Sequence, residues 1–338
     1  KNGFFYVLDR GTGELISAEP YVFTNWASHI DLESGRPVET ELADYSLEDR
    51  LVFPAASGAH NWQPMAFSPQ TGLVYFTGRE AGWVHSNADD KWFALGAQNI
   101  EELIGAQDIP EEIGFIKAWD PVNQELKWEK ALPNVWNGGV LATAGGLIVF
   151  GTATGKVLAL DAINGDELLE LNVGTGIIAP PVTYSVSGTQ FIAVMAGWGG
   201  PAFNTLAGNE ALLKYSNAGR ILAFKLKGTD VPLPERVRPR GAIPEQPELT
   251  SNEDILEQGR ILYVRLCGSC HGMYGSDPML PDLRRMMPHT HELFDSIVLD
   301  GLYESRGMAS YEEELDEKEV FSIHAYINNL ANITRKTN

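Results

Sequence analysis

One turn recurs from residue 1 to about residue 228 and limits what this chain can fold into. Short β-rich runs end in aspartate, and another β-rich run starts after a four- or five-residue reversal that usually closes on glycine. The clearest copies are Tyr6-Val7-Leu8-Asp9 leading to Gly13-Glu14-Leu15, Ile116-Lys117-Ala118-Trp119-Asp120 leading to Leu126-Lys127-Trp128, and Val157-Leu158-Ala159-Leu160-Asp161 leading to Gly165-Asp166-Glu167-Leu168. Weaker copies run from Asp31 to Gly35 and from Ser68 to Gly72. Alternating apolar residues make a half-buried strand, aspartate and glycine make the tight reversal, and the next strand pairs back antiparallel. Units of roughly forty residues built in this way predict the blades of a β-propeller. A β-sandwich also contains hairpins, but it does not repeat the same turn chemistry. Between residues 79 and 115 the pattern lapses into a polar stretch with Trp and Glu, which reads as a long insertion suited to partner contacts.

From Thr229 to Thr250 the sequence changes character. Pro232, Pro234, Pro239, Pro244 and Pro247 alternate with Glu and Arg, a composition that predicts a semi-extended linker stiffened by the fixed φ of proline. From Ser251 the period becomes helical: Ile255, Gly259, Leu262, Tyr263 and Leu266 recur at three- and four-residue steps and run into Cys267. Asn252 is the expected N-cap, and a closing helix is predicted over Lys318 to Leu330, packed across the first. A chain of 338 residues exceeds what one core usually organises, so the expected division is a propeller over 1–228, a linker over 229–250 and an all-α domain over 251–338.

The chain has two cysteines, Cys267 and Cys270, and His271 follows at once. Cys-x-x-Cys alone fits a redox dithiol or half a zinc site; Cys-x-x-Cys-His is the attachment signature of a c-type haem. Two thiols on one helical turn meet the two vinyl groups, and the histidine reaches the iron from the same side. The opposite axial ligand should be a methionine some tens of residues later, with Met273, Met279, Met286, Met287 and Met308 as candidates. Met273 is too close to the histidine to reach the other face, and Met286-Met287 read as core residues of a helical segment. Met308 lies in the small-residue loop Gly307-Met308-Ala309-Ser310-Tyr311, where the chain can bend sulfur over iron, and it is the expected ligand. Leu280-Pro281-Asp282-Leu283 is the expected pocket wall, and His289, His291 and His324 read as surface or core imidazoles.

A net charge of −20 disfavours nucleic acid and anionic lipid as partners. No apolar run approaches the ~20 residues that span a bilayer, and Lys1–Phe5 carry no secretory pattern.

This combination resembles the quinohaemoprotein alcohol dehydrogenases along essentially the whole chain. The stretches that carry the resemblance are Lys1-Asn2-Gly3-Phe4-Phe5-Tyr6-Val7-Leu8-Asp9-Arg10, His60-Asn61-Trp62-Gln63-Pro64-Met65, Trp136-Asn137-Gly138-Gly139-Val140-Leu141-Ala142-Thr143, Gly174-Thr175-Gly176-Ile177-Ile178-Ala179-Pro180-Pro181 and Ala196-Gly197-Trp198-Gly199-Gly200. It implies part of an eight-bladed propeller that holds pyrroloquinoline quinone (PQQ) and calcium near its axis, with a c-type cytochrome domain over that site, in the bacterial periplasm. It further implies oxidation of an alcohol by hydride transfer to PQQ, then electron transfer through haem c to an external acceptor, a small redox protein or a quinone. Residue by residue, Lys1 matches the lysine that hydrogen-bonds the quinone carbonyls, Asn61 and Trp62 match later cofactor contacts, and Trp198 is a further carry-over. The family's catalytic aspartate, calcium ligands and adjacent-cysteine disulfide match nothing here. They are expected upstream of Lys1, so this sequence is expected to be the C-terminal portion of a longer enzyme. The competing expectations are an electron-carrier cytochrome docked on blades without dehydrogenase activity, and a propeller scaffold of the outer-membrane assembly type without redox chemistry.

Overall fold

A computed structural model of the chain describes residues 1–85, 113–198, 214–228, 230–237, 241–272, 275 and 280–337. These form two compact units, the first up to Val237 and the second beyond it.

The first unit is all β. One four-stranded sheet joins strands Ala66–Ser68, Leu73–Glu80, Ile113–Asp120 and Glu125–Leu132; another joins Asn137–Ala142, Leu147–Thr152, Lys156–Asp161 and Glu167–Asn172. In both, the strands pair antiparallel in chain order, the meander of a propeller blade, with only Trp83–His85 passed over in the first. A three-stranded sheet (Val182–Val186, Thr189–Ala196, Arg220–Lys225) and the hairpins Phe4–Leu8 with Leu15–Pro20 and Ala27–Ile30 with Pro37–Glu39 follow the same rule. Tyr75, Ile116, Ile148, Phe150 and Leu160 pack between the two larger sheets.

The repeated turn works through its aspartate. The Asp9 carboxylate accepts hydrogen bonds from the Gly11 and Thr12 N–H groups (2.8 Å each), while the Gly13 N–H donates to the Asp9 carbonyl (2.7 Å) at a left-handed φ of +78°. Asp161 and Gly165 repeat the arrangement, and donated hydrogen bonds from the following residues hold Asp120 at about pKa 2. In the Asp120 copy Gln124 takes the left-handed position (φ +56°), anchored by its amide to the Ser17 hydroxyl and by the Trp119 indole N–H.

Two expectations shift here. The strand expected to lapse at residue 79 continues to Glu80, and Trp83–His85 pairs with Arg50–Val52, so the regular structure outlasts the predicted start of the insertion. Val84 is buried between exposed Trp83 and half-buried His85, a strand alternation that the polar composition conceals. The rest of the expected insertion, residues 86–112, lies outside the described residues.

The second unit opens with the helix Glu253–Leu262, whose N-cap Asn252 accepts from the Asp254 and Ile255 N–H groups (2.9 and 3.3 Å). The helix passes through one π-helical turn, Tyr263–Cys267, into Gly268–His271. The closing helix, Glu317–Thr337, is longer at both ends than the predicted Lys318 to Leu330. Its start is fixed by a reciprocal cap in which the Asp316 carboxylate accepts from the Glu319 N–H and the Glu319 carboxylate accepts from the Asp316 N–H (2.9 Å each). The Pro-rich stretch divides between the units. Pro232 and Arg236 bond to Arg220 and Tyr215 of the first, whereas Gln246 pairs with the Asn332 amide of the second (2.9 and 2.8 Å).

The two long helices cross at Gly259, where a Cβ would stand 1.9 Å from the Ser322 carbonyl oxygen. Tyr263 then packs on Tyr326, with ring centroids 5.5 Å apart. Gly259→Ala should therefore force the helices apart and cost about 3 kcal/mol or more. Gly241→Ala, where a Cβ meets nothing within 4 Å, should stay within ~0.5 kcal/mol. Thermal unfolding of the two variants checks this; equal midpoints would contradict the packing account.

His291 and His324 meet between the closing helix and the Pro-rich segment. The Gln246 side-chain oxygen can only accept, so the His291 Nε2–H donates to it (2.7 Å), and His291 Nδ1 accepts from the His324 Nε2–H (2.8 Å). His291 must be neutral for this chain of bonds, because its Nδ1 accepts. Burial and His291 hold His324 at about pKa 4, below its ordinary 6.5, and burial lowers His291 as well. Between about pH 6.5 and pH 4 the unfolded chain binds protons that the folded unit refuses, so stability falls as pH falls through that window. His324→Gln should flatten this part of the acid-unfolding profile; an unchanged slope would show that the pair does not titrate in this way.

Candidate functional site

The Cys-x-x-Cys-His segment is built by the helix that carries it. Cys267 closes the π-helical turn and is buried; Cys270 lies one turn on and is exposed; His271 ends the helix, half-buried. The thiols are not joined to each other. Burial, with the neighbouring Cys270, pushes the Cys267 thiol up to about 12, so it is a neutral thiol at physiological pH. Tyr263 holds the far end of the segment: its hydroxyl donates to the carbonyl of Gly272 (2.6 Å), which turns the chain at φ +74°. Apolar walls come from Val264, Met286, Phe294, Leu315 and Ile323, packed in one cluster with Cys267.

The loop Gly307–Tyr311 is tied to this segment. The Tyr311 hydroxyl donates to the Leu266 carbonyl (2.9 Å), one residue before Cys267, while the Tyr311 N–H donates to Val298. Ser310 donates to the Leu299 carbonyl, and the Met308 N–H donates to the Tyr303 carbonyl (3.2 Å). Met308 is half-buried in a loop anchored on both sides. Met286 and Met287 do not lie in a helix as expected: they join the turn Leu283–Arg285 to the helix Pro288–Glu292, because Pro288 starts that helix at its first position. Met286 is buried and Met287 is 56% exposed. Met273 and Met279 lie outside the described residues. In the stretch Leu280–Leu283, Asp282 caps the turn and pairs with Arg284 and Arg285, while Leu283 packs on the core. Two unlinked thiols on a helical turn, an imidazole directly after them and an apolar wall form a donor set that fits a covalently attached haem.

In the first unit, Lys1, Asn61 and Trp62 share one loop. The Ala59 N–H donates to the Lys1 carbonyl (3.0 Å), and Gly58, at φ +83°, leaves room for the Lys1 side chain, since a Cβ there would stand 2.4 Å from Lys1 Cγ. The Asn61 amide donates to the Ser57 carbonyl (2.9 Å), and Trp62 is 48% exposed. An exposed lysine, an amide fixed by its own loop and an exposed indole fit a flat, anionic ligand. Trp198 stands apart. It is 1% exposed and packed so closely on Gly176 that a Cβ there would lie 2.5 Å from its indole nitrogen.

The residues that hold the loop are absent from sequence reasoning. His60 Nδ1 donates to the Thr77 carbonyl (2.7 Å), the Thr77 hydroxyl donates to Gly138 (2.7 Å), and Arg79, 3% exposed, donates from Nη2 to Ser57 (2.7 Å). The Arg79 guanidinium lies 3.8 Å from the centre of the Trp136 ring, and burial lowers it to about 10, so it remains charged. The signal available was a basic residue at the end of an otherwise apolar strand, Leu73 to Gly78.

Residues 105–192 match the family model "Glucose/ethanol/alcohol dehydrogenase, beta-propeller domain", and residues 254–327 match "Cytochrome C oxidase, cbb3-type, subunit III". The chain is 40% identical over 334 residues to quinohemoprotein alcohol dehydrogenase ADH IIB of Pseudomonas putida, covering 97% of this chain and 48% of that protein. Among solved structures it superimposes on the quinohemoprotein alcohol dehydrogenase ADHIIG of Pseudomonas putida HK5 with a TM-score of 0.83 at 36% identity, covering 98% of this chain and 50% of that one. On the corresponding enzyme of Comamonas testosteroni the TM-score is 0.78 at 32% identity, with the same coverage. The chain spans about half the length of the relatives it matches. With blades and a c-type domain matched in order across nearly all its residues, it belongs to the quinohaemoprotein alcohol dehydrogenase family.

Proposed function

We propose that this chain supplies the haem-bearing domain and a quinone-facing loop of a PQQ- and haem c-dependent alcohol dehydrogenase of the bacterial periplasm. In this reading residues 1–228 are propeller blades, 229–250 a linker and 251–338 the cytochrome domain. The observation that carries it is the pair of unlinked thiols followed by His271 on one helical turn, with the Met308 loop tied to that turn through Tyr311. When bound, the quinone supplies a hydride acceptor for an alcohol and the haem a one-electron outlet towards a small redox protein or a quinone.

The chain's own residues divide the work. Cys267 and Cys270 fix the haem edge covalently, so the domain keeps it through turnover. His271 would supply an imidazole and Met308 a thioether to the iron, a ligand pair that would favour the reduced metal. Lys1 would hold an ammonium towards a carbonyl oxygen of the quinone and so would stabilise negative charge there. Asn61 would orient the quinone by hydrogen bonding and Trp62 would offer it a flat apolar face, while Trp198 is buried against Gly176.

Expressed with export and haem ligation, the chain should carry haem that survives denaturation, and Cys267→Ser with Cys270→Ser should release it. Met308→Ala should remove the sulfur-to-iron charge-transfer band while the covalent haem stays. A band that persists in Met308→Ala and disappears in Met279→Ala would overturn the axial assignment. Absence of covalent haem from the unaltered chain would overturn the reading itself.

A further inference from the structure

The chain carries 45 acidic residues against 25 basic ones, yet one loop of the first unit gathers cations without acids. Lys1 and Arg79 both bond to Ala59 through their backbones: the Ala59 N–H donates to Lys1 and the Arg79 N–H donates to the Ala59 carbonyl (2.8 Å). Neither side chain pairs with a carboxylate among the described residues, although Lys117, on the strand paired with that of Arg79, pairs with Glu80 and Glu129. The guanidinium of Arg79 is buried, its Nε has no hydrogen-bond partner among the described residues, and its charge lies near the Trp136 face, the Ser57 carbonyl and the Tyr21 side chain. Burying a cation without a counter-ion is costly, and a π face returns ~2 kcal/mol when desolvated. Such a charge persists where the fold requires it or where an anion arrives to complete it.

The surrounding contacts favour the second account. Bonds from the Arg79 N–H to Ala59, from the His60 imidazole to Thr77 and from the Ala55 N–H to Ala81 already fasten the loop to its strand. What the guanidinium adds is a hold on Ser57, whose carbonyl also receives the Asn61 amide. We propose that Arg79 is a positioning residue of the quinone site: its fixed charge beneath the Ser57–Trp62 loop attracts a polycarboxylate ligand, and its bond to Ser57 sets the Asn61 amide that meets it. This rests on the assignment of that loop to the quinone. Lys1 faces the ligand from the exposed side, whereas Arg79 acts through the loop and from below.

The test is the affinity of PQQ, read by quenching of tryptophan fluorescence in the protein that carries this chain, for the unaltered form, Arg79→Lys and Arg79→Met. Arg79→Lys keeps the charge and Arg79→Met keeps only the length. The expected result is a loss of about tenfold or more in Arg79→Met with most of the affinity kept in Arg79→Lys, because a buried charge acts through a low dielectric and is little screened by salt. Thermal midpoints of both variants report any general loss of structure, and a purely structural role would weaken the two alike. Equal weakening in both, or affinity in Arg79→Met within threefold of the unaltered form, overturns the inference and leaves the assignment of the loop standing. Failure of the unaltered protein to bind PQQ overturns the assignment, and this inference with it.

Discussion

The second unit depends on how closely two helices approach at Gly259. With no side chain there, the backbone of one helix lies against the Ser322 carbonyl of the other, and Tyr263 is carried in against Tyr326. From that position the Tyr263 hydroxyl reaches Gly272 and fixes both ends of the segment that holds Cys267, Cys270 and His271. The π-helical turn between Tyr263 and Cys267 shifts the thiols relative to a straight helix, a local irregularity of the kind found at functional sites. Tyr311 then ties the methionine loop to the carbonyl that precedes Cys267. A helix crossing, a tyrosine bond and a loop anchor thus form one continuous support for the Cys267–His271 segment and the Met308 loop.

In the first unit the same division holds between scaffold and site. The outer hairpins are closed by aspartates that bond their own backbones, a local and self-sufficient device. The inner loops are held by contacts across the fold: His60 to Thr77, Thr77 to Gly138, Arg79 to Ser57 and Trp136. Buried polar groups so connected fix geometry more than they add stability. They hold the loop that carries Asn61 and Trp62 and that bonds to the Lys1 carbonyl.

What was legible in the sequence follows from how local each signal is. Asp9, Asp31 and Asp161 bond within four residues, so their turns are written in consecutive letters, and Asn252 and Cys-x-x-Cys-His are equally contiguous. Gln124 at a left-handed position was not legible, because its support comes from Ser17, 107 residues away. Nor was the role of Arg79, which depends on Ser57 and Trp136, or the His291–His324 chain, which needs Gln246 to set its direction. The helix expected at Met286-Met287 failed for a local reason, since Pro288 starts the helix after them. The Met308 loop was found from small residues alone; its anchor through Tyr311 to Leu266 spans 45 residues and emerges only in the fold.

The central claim is that one chain joins a quinone-facing loop to a covalent haem for the same electrons. Its most direct measurement is the haem absorption of the protein that carries this chain, loaded with PQQ and mixed rapidly with a primary alcohol under anaerobic conditions and without a mediator. The account predicts that the reduced c-type α-band rises, and that it does so more slowly when Lys1 is replaced by alanine. A haem that stays oxidised while the alcohol is consumed would contradict it.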